Sequence, residues 1–423
     1  MSRAPTPSGL KPPPARGGGA RAVARCRLLS RAPYSDAPDA LYRSYLSPAH
    51  AAAQAQLAEW MGEAGMATRI DAAGNLIGRY RGRQESPALM IGSHIDSVRD
   101  AGAFDGPLGI LLGVECVAAM NARDERSPFP IEVIAFGDEE GSRFPAAMLT
   151  SRAVAGTLDP AALEILDGQG VPLAEALAGF GLDKARFAEA RRPPGSVLAY
   201  LEAHIEQGPQ LEADGLPLGI VTAIAAQRRM AVIFRGTAGH AGTSSMALRR
   251  DALTAAAEAV LAVERIAREG RADLVATVGR MTVAPGATNV IPGRVEFAVD
   301  VRAGADEDRD AAVVRIREAL SAIAAARSVP VEVDEIHAIG ASPCDPGLTE
   351  RLAQAVAAVG VSPCRLISGA GHDAMVMAAL APTAMLFIRC AGGISHNPLE
   401  DVADEDAECA LAAMLAFIEG LAR

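Results

Sequence analysis

Ala88-Leu-Met-Ile-Gly92, the run from Pro107 to Met120, and Ile131-Glu-Val-Ile-Ala-Phe136 are the stretches whose reading decides the fold. The first and third are short and apolar, the pattern of strands buried on both faces. The run between them is long enough for an apolar helix. Strand, helix and strand in that order make an α/β sheet with helices on both faces. Each strand run ends in small and polar residues. Ser93-His94-Ile-Asp96-Ser97 follows the first, and Gly137-Asp138-Glu139-Glu140-Gly141 follows the second. Functional groups in such sheets gather at the carboxyl ends of strands. Working outward, residues 49–65 read as a helix ending at Gly65, and a strand pair follows over 68–71 and 75–80.

Residues 222–338 read as a separate unit inserted in this domain. Strands are expected over 230–234, 273–283, 294–302 and 329–333, and helices over 247–269 and 306–326. The second helix opens on acidic residues that suit a helix N-terminus. The order β-α-β-β-α-β is the ferredoxin-like pattern. The α/β domain then comprises residues 21–221 and 339–423, closing in a helix at about 404–421. Hinges are expected near 220–226 and 338–341. Residues 1–20 are rich in Pro, Gly and Arg and have no apolar stretch like that of a secretion signal. They read as a disordered extension.

The net charge of −11 disfavours non-specific nucleic-acid binding, which needs a basic surface. No apolar run is long enough for a membrane span. The six cysteines form no CxxC pair, so a structural zinc knuckle is not expected and a reduced, cytoplasmic protein is.

Five of the seven histidines, His94, His204, His240, His372 and His396, lie among glycines and small polar residues. His94 and Asp96 are two apart and project to one side of an extended chain. They read either as a metal ligand with its orienting acid or as a pair capping a strand end. Asp105 precedes the apolar helix and reads as an N-cap or as a carboxylate bridging two metals. Asp138, Glu139 and Glu140 repel one another, and a nearby cation would relieve them; the alternative is a solvated acidic turn. His204 and Glu206 repeat the His-x-acid spacing. His396 sits in a Gly/Ser/Pro loop, where core packing does not explain it. Taken together they form an N/O ligand set without thiolate, which suits Zn, Mn or Co.

In this order the chain carries GSHIDS (92–97), GAFDGPLG (102–109), GDEEGSRF (137–144), HIEQGP (204–209), AGHAGTSSM (238–246), TNVIPG (288–293), DVR (300–302), GAGHDAM (369–375) and GGISHNPLE (392–400). From about residue 20 it resembles the M20 metallopeptidase-like amidohydrolases, in the allantoate amidohydrolase and N-carbamoyl-L-amino acid hydrolase (hydantoinase–carbamoylase) branch. The resemblance implies a dinuclear-metal, exopeptidase-like catalytic domain and an inserted domain that serves as dimerisation unit and lid. It implies two divalent ions per subunit, Zn or Mn. His94 and His204 would hold one, Glu140 and His396 the other, and Asp105 would bridge. Glu139 would be the general base and Asp96 would orient His94. Gln227, Asn289 and Arg302 match positions that hold the substrate, with Arg302 suited to a carboxylate. His240 matches a histidine that reaches across a homodimer to stabilise the oxyanion. Ala370, Gly371 and His372 match a loop lining the pocket. Thr243-Ser-Ser-Met246 departs from the more usual Thr-Pro-Met.

The implied reaction is hydrolysis of a ureido C–N bond in a carboxylate-bearing small molecule. Allantoate is preferred, giving ureidoglycine, ammonia and carbon dioxide. N-carbamoyl-L-amino acids and N-carbamoyl-β-alanine are rivals. An aminopeptidase or deacylase, and an inactive binding homologue, are further alternatives; a peptidase would release no ammonia, and the retained Glu139 argues against loss of activity.

Overall fold

A computed structural model describes residues 17–422, and the chain divides into two compact units. The first runs as far as Thr222 and takes in Cys344–Leu366 and His372–Arg423; the second consists of Ala223–Pro343 with Ile367–Gly371. The extension expected over residues 1–20 lies outside the described residues up to 16. Its last residues do not fit that reading, because a helix spans Gly18–Leu29. Ala22, Val23, Cys26 and Leu29 form a buried stripe at helical spacing. Arg21 and Arg25 both pair with the buried carboxylate of Glu115. The interleaved arginines hid that stripe in the sequence.

The sheet of the first unit runs in the order Ala67–Ile70, Leu76–Tyr80, Ile131–Phe136, Ala88–His94, Val197–Ile205, Thr383–Ile388, Leu218–Ile224. The four strands from Ile131–Phe136 to Thr383–Ile388 are mutually parallel, and the flanking strands pair antiparallel. Every residue of Ala88–His94, Ile131–Phe136 and Thr383–Ile388 is buried. That explains their unbroken apolar reading. Parallel strands end on one edge, and the register aligns His94 with Phe136 and His204 with Phe387. The helix Pro107–Ala122 is buried over nearly its whole length, and Gly18–Leu29 and Asp404–Leu421 pack with it. Burying each of its Leu, Ile and Val side chains contributes about 1.5–3 kcal/mol before conformational entropy is subtracted.

The second unit has an antiparallel sheet ordered Val331–Ile339, Ala226–Arg235, Arg294–Ala303, Val275–Ala284. Helices Ala252–Arg268 and Asp306–Arg327 complete the β-α-β-β-α-β order. Val295, Phe297, Val299 and Val301 alternate into one core with Met230, Val232 and Phe234, covered by Ala255, Ala259, Val263, Val313 and Ile316. The helix expected from 247 starts at Ala252, because the Asp251 side chain accepts from Leu253 N and Thr254 N and sets the cap there. The domain edge expected at 338/339 falls at Pro343. Ile367–Gly371 also belongs to the second unit, where Ser368 O accepts from Ala225 N. Among the described residues, no helix is long and apolar enough to cross a membrane.

Candidate metal centre

The carboxyl edge of the first sheet gathers the candidate ligands. His94 is the last residue of its strand, and His204 lies just before the end of Val197–Ile205. Glu139 and Glu140 follow Ile131–Phe136, and His396 lies in the loop after Thr383–Ile388. Asp105 is not a helix cap. The cap position of Pro107–Ala122 is Gly106, and no side chain caps it. Gly106 has φ 88°, and a Cβ there would lie 2.4 Å from the His94 carbonyl oxygen. Glycine alone lets this loop press against His94.

Asp105 is therefore turned inward, and its two oxygens face different partners. Oδ1 lies 3.0 Å from His204 Nε2 and 3.4 Å from His94 Nε2. Oδ2 lies 3.1 Å from His396 Nε2, which is 3.6 Å from Glu140 Oε1. His94, Asp105 and His204 form one group able to hold a cation, and Asp105, Glu140 and His396 another. They share Asp105, the arrangement of a bridging carboxylate.

The histidine geometry tests whether a metal fits. His94 Nδ1 is 3.1 Å from the Asp96 carbonyl oxygen, and His204 Nδ1 is 2.9 Å from that of Ile205. A carbonyl only accepts, so each Nδ1 is assigned the proton and each Nε2 offers a lone pair. Those two Nε2 atoms lie 3.4 Å apart. Two lone pairs facing each other require a cation, or an added proton, between them. Without a metal the protons supply that charge. Burial opposes protonation of His94 and His204, but hydrogen bonds to Asp105 outweigh it and raise both. The hydrogen bond to Asp105 lifts His396 to about 9. Burial lifts Glu140 to about 7, helped by repulsion from Asp105, and holds Glu139 well above the carboxylate range. Oxygen and imidazole donors held this way fit Zn or Mn.

Asp96 departs from expectation. Its carboxylate Oδ1 stands 3.4 Å from His94 Nδ1, and its carbonyl is the closer partner. The carboxylate instead accepts from Glu139 N at 3.0 Å and Glu140 N at 3.2 Å. It holds the acid pair as much as the imidazole.

His372 directly follows Gly371 and reaches the candidate ligands. It belongs to the first unit, and its buried ring meets that of His204 edge-on with centroids 4.5 Å apart. Burial and the neighbouring His204 hold it well below the usual imidazole range.

Four supporting residues escaped sequence reading. Glu202 accepts from Ser93 Oγ, Tyr200 OH and Ala374 N, all within 3.1 Å. Its spacing of two before His204 on one strand was the available signal. Gln207 Nε2 donates to Asp105 Oδ2 at 2.9 Å, and Ser395 Oγ lies 3.1 Å from the same oxygen. The Glu400 carboxylate accepts from the backbone N–H groups of Phe104 and Asp105. Gln207 and His396 both carry positive φ, 57° and 53°. Such backbone costs about 1 kcal/mol or more and is retained where surrounding structure enforces it.

The second unit brings its candidate residues together in two places. His240 and Asn289 adjoin across a short antiparallel pair, where Ala241 N donates to Asn289 O at 2.9 Å. Both side chains are exposed. Gln227 and Arg302 are cross-strand partners. Asp300 accepts from Gln227 Nε2 (2.7 Å), Arg229 Nε (2.7 Å) and Arg302 Nε (2.9 Å). Arg302 also donates to Gly369 O, beside Ala370 and Gly371. Arg229, Arg280, Asp300 and Arg302 line a cavity of about 620 Å³ in this unit.

Fold and site together define an α/β protein built round a candidate centre for metal ions. Residues 90–420 match peptidase family M20/M25/M40, and the chain belongs to that family. Enzymes of the family depend on metal ions. The chain is 42% identical to a probable allantoate deiminase of Oryza sativa subsp. japonica, covering 93% of this chain and 87% of that one. It is 44% identical to the N-carbamoyl-L-amino acid amidohydrolase of Geobacillus stearothermophilus, covering 85% and 88%. The crystal structure of a hydantoinase/carbamoylase family amidase from Burkholderia multivorans superposes with a TM-score of 0.89 at 32% identity, covering 97% and 99%.

Proposed function

We propose that this protein is an amidohydrolase that cleaves the ureido C–N bond of allantoate, yielding ureidoglycine, ammonia and carbon dioxide. The observation that carries this reading is Asp105, whose two oxygens face two separate imidazole and carboxylate groups. In it, His94, His204 and Asp105 hold one divalent ion, and Asp105, Glu140 and His396 a second, Zn or Mn. Such ions polarise a carbonyl and lower the pKa of water. The protein's own residues do the rest. Glu139 takes a proton from the attacking water and passes it to the leaving nitrogen. Its buried position, which favours the protonated acid, suits the second of those tasks. Asp96 fixes Glu139 and Glu140 through their backbone N–H groups.

Arg302, steadied by Asp300, receives the substrate carboxylate, and Gln227 and Asn289 bind its polar groups. Ala370, Gly371 and His372 line the pocket. His240 stabilises the oxyanion in a homodimer. The exposed Met246, Leu248 and Leu261 of the second unit support such an association. The free cysteines support a reducing, cytoplasmic setting.

The Geobacillus relative favours a second reading, hydrolysis of N-carbamoyl-L-amino acids. Both substrates carry a ureido group and a carboxylate. Ammonia release from allantoate, N-carbamoyl-L-amino acids and N-carbamoyl-β-alanine by the Zn- or Mn-loaded protein decides between them. Release from allantoate at the highest kcat/KM is expected. Release from none of the three would exclude ureido hydrolysis and leave peptidase or deacylase chemistry.

A further inference from the structure

We propose that Glu400 is a positioning residue whose buried carboxylate ties the Asp105 loop to the His396 loop, fixing the half of the metal centre that those two residues share. The proposal rests on the reading of Asp105 and His396 as ligands. Glu400 is 5% exposed. Its Oε1 accepts from Phe104 N at 2.7 Å and from Asp105 N at 3.1 Å. Its Oε2 accepts from Ser395 Oγ at 3.1 Å. One side chain thus grips the backbone that carries Asp105 and the residue next to His396.

Three further observations point the same way. Among the described residues, no arginine or lysine lies within ion-pair distance of Glu400; the neighbouring Arg27 pairs with Asp401. A buried carboxylate without a counter-charge is costly, and it persists here through its hydrogen bonds. Next, the wall of its niche is Gly102. A Cβ at that position would stand 2.3 Å from Glu400 Cβ and Cδ and 2.4 Å from Oε1. The missing side chain makes the room. Last, the donors are matched to the acceptors. Ser395 Oγ lies 3.1 Å from both Asp105 Oδ2 and Glu400 Oε2, but has one proton. Gln207 Nε2 supplies Asp105 Oδ2 at 2.9 Å, which leaves the hydroxyl proton for Glu400.

Glutamine at this position can keep the tie. Its amide oxygen accepts from both backbone N–H groups, and its amide nitrogen donates to Ser395 Oγ. Alanine cannot, and Gly102→Ala should expel the carboxylate without altering it. The test titrates metal-stripped wild type, Glu400→Gln, Glu400→Ala and Gly102→Ala with zinc against a chromophoric chelator. Thermal midpoints establish that each variant is folded. Two zinc ions are expected to bind wild type and Glu400→Gln alike. In Glu400→Ala and Gly102→Ala the weaker-bound zinc should lose about 10–100-fold in affinity while the tighter is kept, the range for outer residues that orient ligands. With allantoate, kcat should fall and KM stay nearly constant. Should Glu400→Ala not fold, Gly102→Ala carries the test. Unchanged binding of both ions by the folded alanine variants would overturn the proposal. So would equal loss in Glu400→Gln, which would assign the effect to charge. Wild type that binds fewer than two ions would instead overturn the metal reading beneath it.

Discussion

The carboxyl edge of the first unit and the candidate residues of the second unit place polar groups under opposite constraints. At the first, His94, Asp105, Glu139 and His204 are buried. Two imidazole lone pairs meet there and require a cation, or an added proton, between them. At the second, His240 and Asn289 are exposed, and Arg302 and Arg229 share Asp300 at a half-open surface. Water can satisfy those groups, so nothing forces a single arrangement. The contrast separates two jobs. In the proposed function the buried set would carry the reactive chemistry, and the exposed set could be retuned for different substrates without disturbing it.

Four perturbations act on the two regions separately. The largest effect is expected from Glu139→Gln, which keeps the shape of the buried set and removes its proton carrier. Its kcat for ammonia release should fall about 10²–10⁴-fold, with metal content unchanged by elemental analysis. Arg302→Lys acts on the exposed set. Losing a planar, two-pronged partner for a carboxylate costs about 2 kcal/mol, roughly thirtyfold, and should appear in KM, with kcat nearly constant. Steady-state kinetics on both variants would show whether the two regions divide kcat from KM.

The third and fourth concern pH. In the metal-free protein, His396 is raised to about 9 and Glu140 to about 7. Both bind protons more readily folded than unfolded. Their contribution is complete below the unfolded values and fades as pH rises through about 7 and then 9. The thermal midpoint of stripped protein should therefore fall between pH 6 and 9 by a few degrees, and loading with zinc should flatten that fall. His50 lies outside the groups of candidate ligands and has the opposite sign. It is buried, stacked on Phe180, and depressed to about 3 by desolvation and then Arg43. The unfolded chain takes up its proton first, so stability is lost as pH drops below about 6.5. By pH 5 this amounts to about 2 kcal/mol. His50→Gln should remove that part of the acid slope in denaturant titrations.

Much of this organisation was legible in the sequence. Buried parallel strands announced themselves as unbroken apolar runs, and the ferredoxin-like order survived with shifted ends. His94, His204, Glu139 and Glu140 could be proposed as site residues because their motifs stand at or just beyond strand ends. What remained hidden depends on distance through space. Asp105, standing just before an apolar helix, reads more readily as a helix cap until Gly106 is seen to occupy the cap. Asp96 reads as a partner of His94 alone until its carboxylate is found on the Glu139 and Glu140 amides as well. Glu400 meets Asp105 across 295 positions of chain, and no local pattern marks such a contact. Arg21 and Arg25 made a buried helix look like a polar tail.

A shared pair of metal sites has a direct signature in the metal stoichiometry of turnover. Zinc or manganese is added in steps to the stripped protein, and ammonia release from allantoate is followed at each step. Two shared sites require activity that is absent without metal and climbs until two equivalents are bound. Full ammonia release from the stripped protein, or a plateau at one equivalent, would contradict a centre bridged by Asp105.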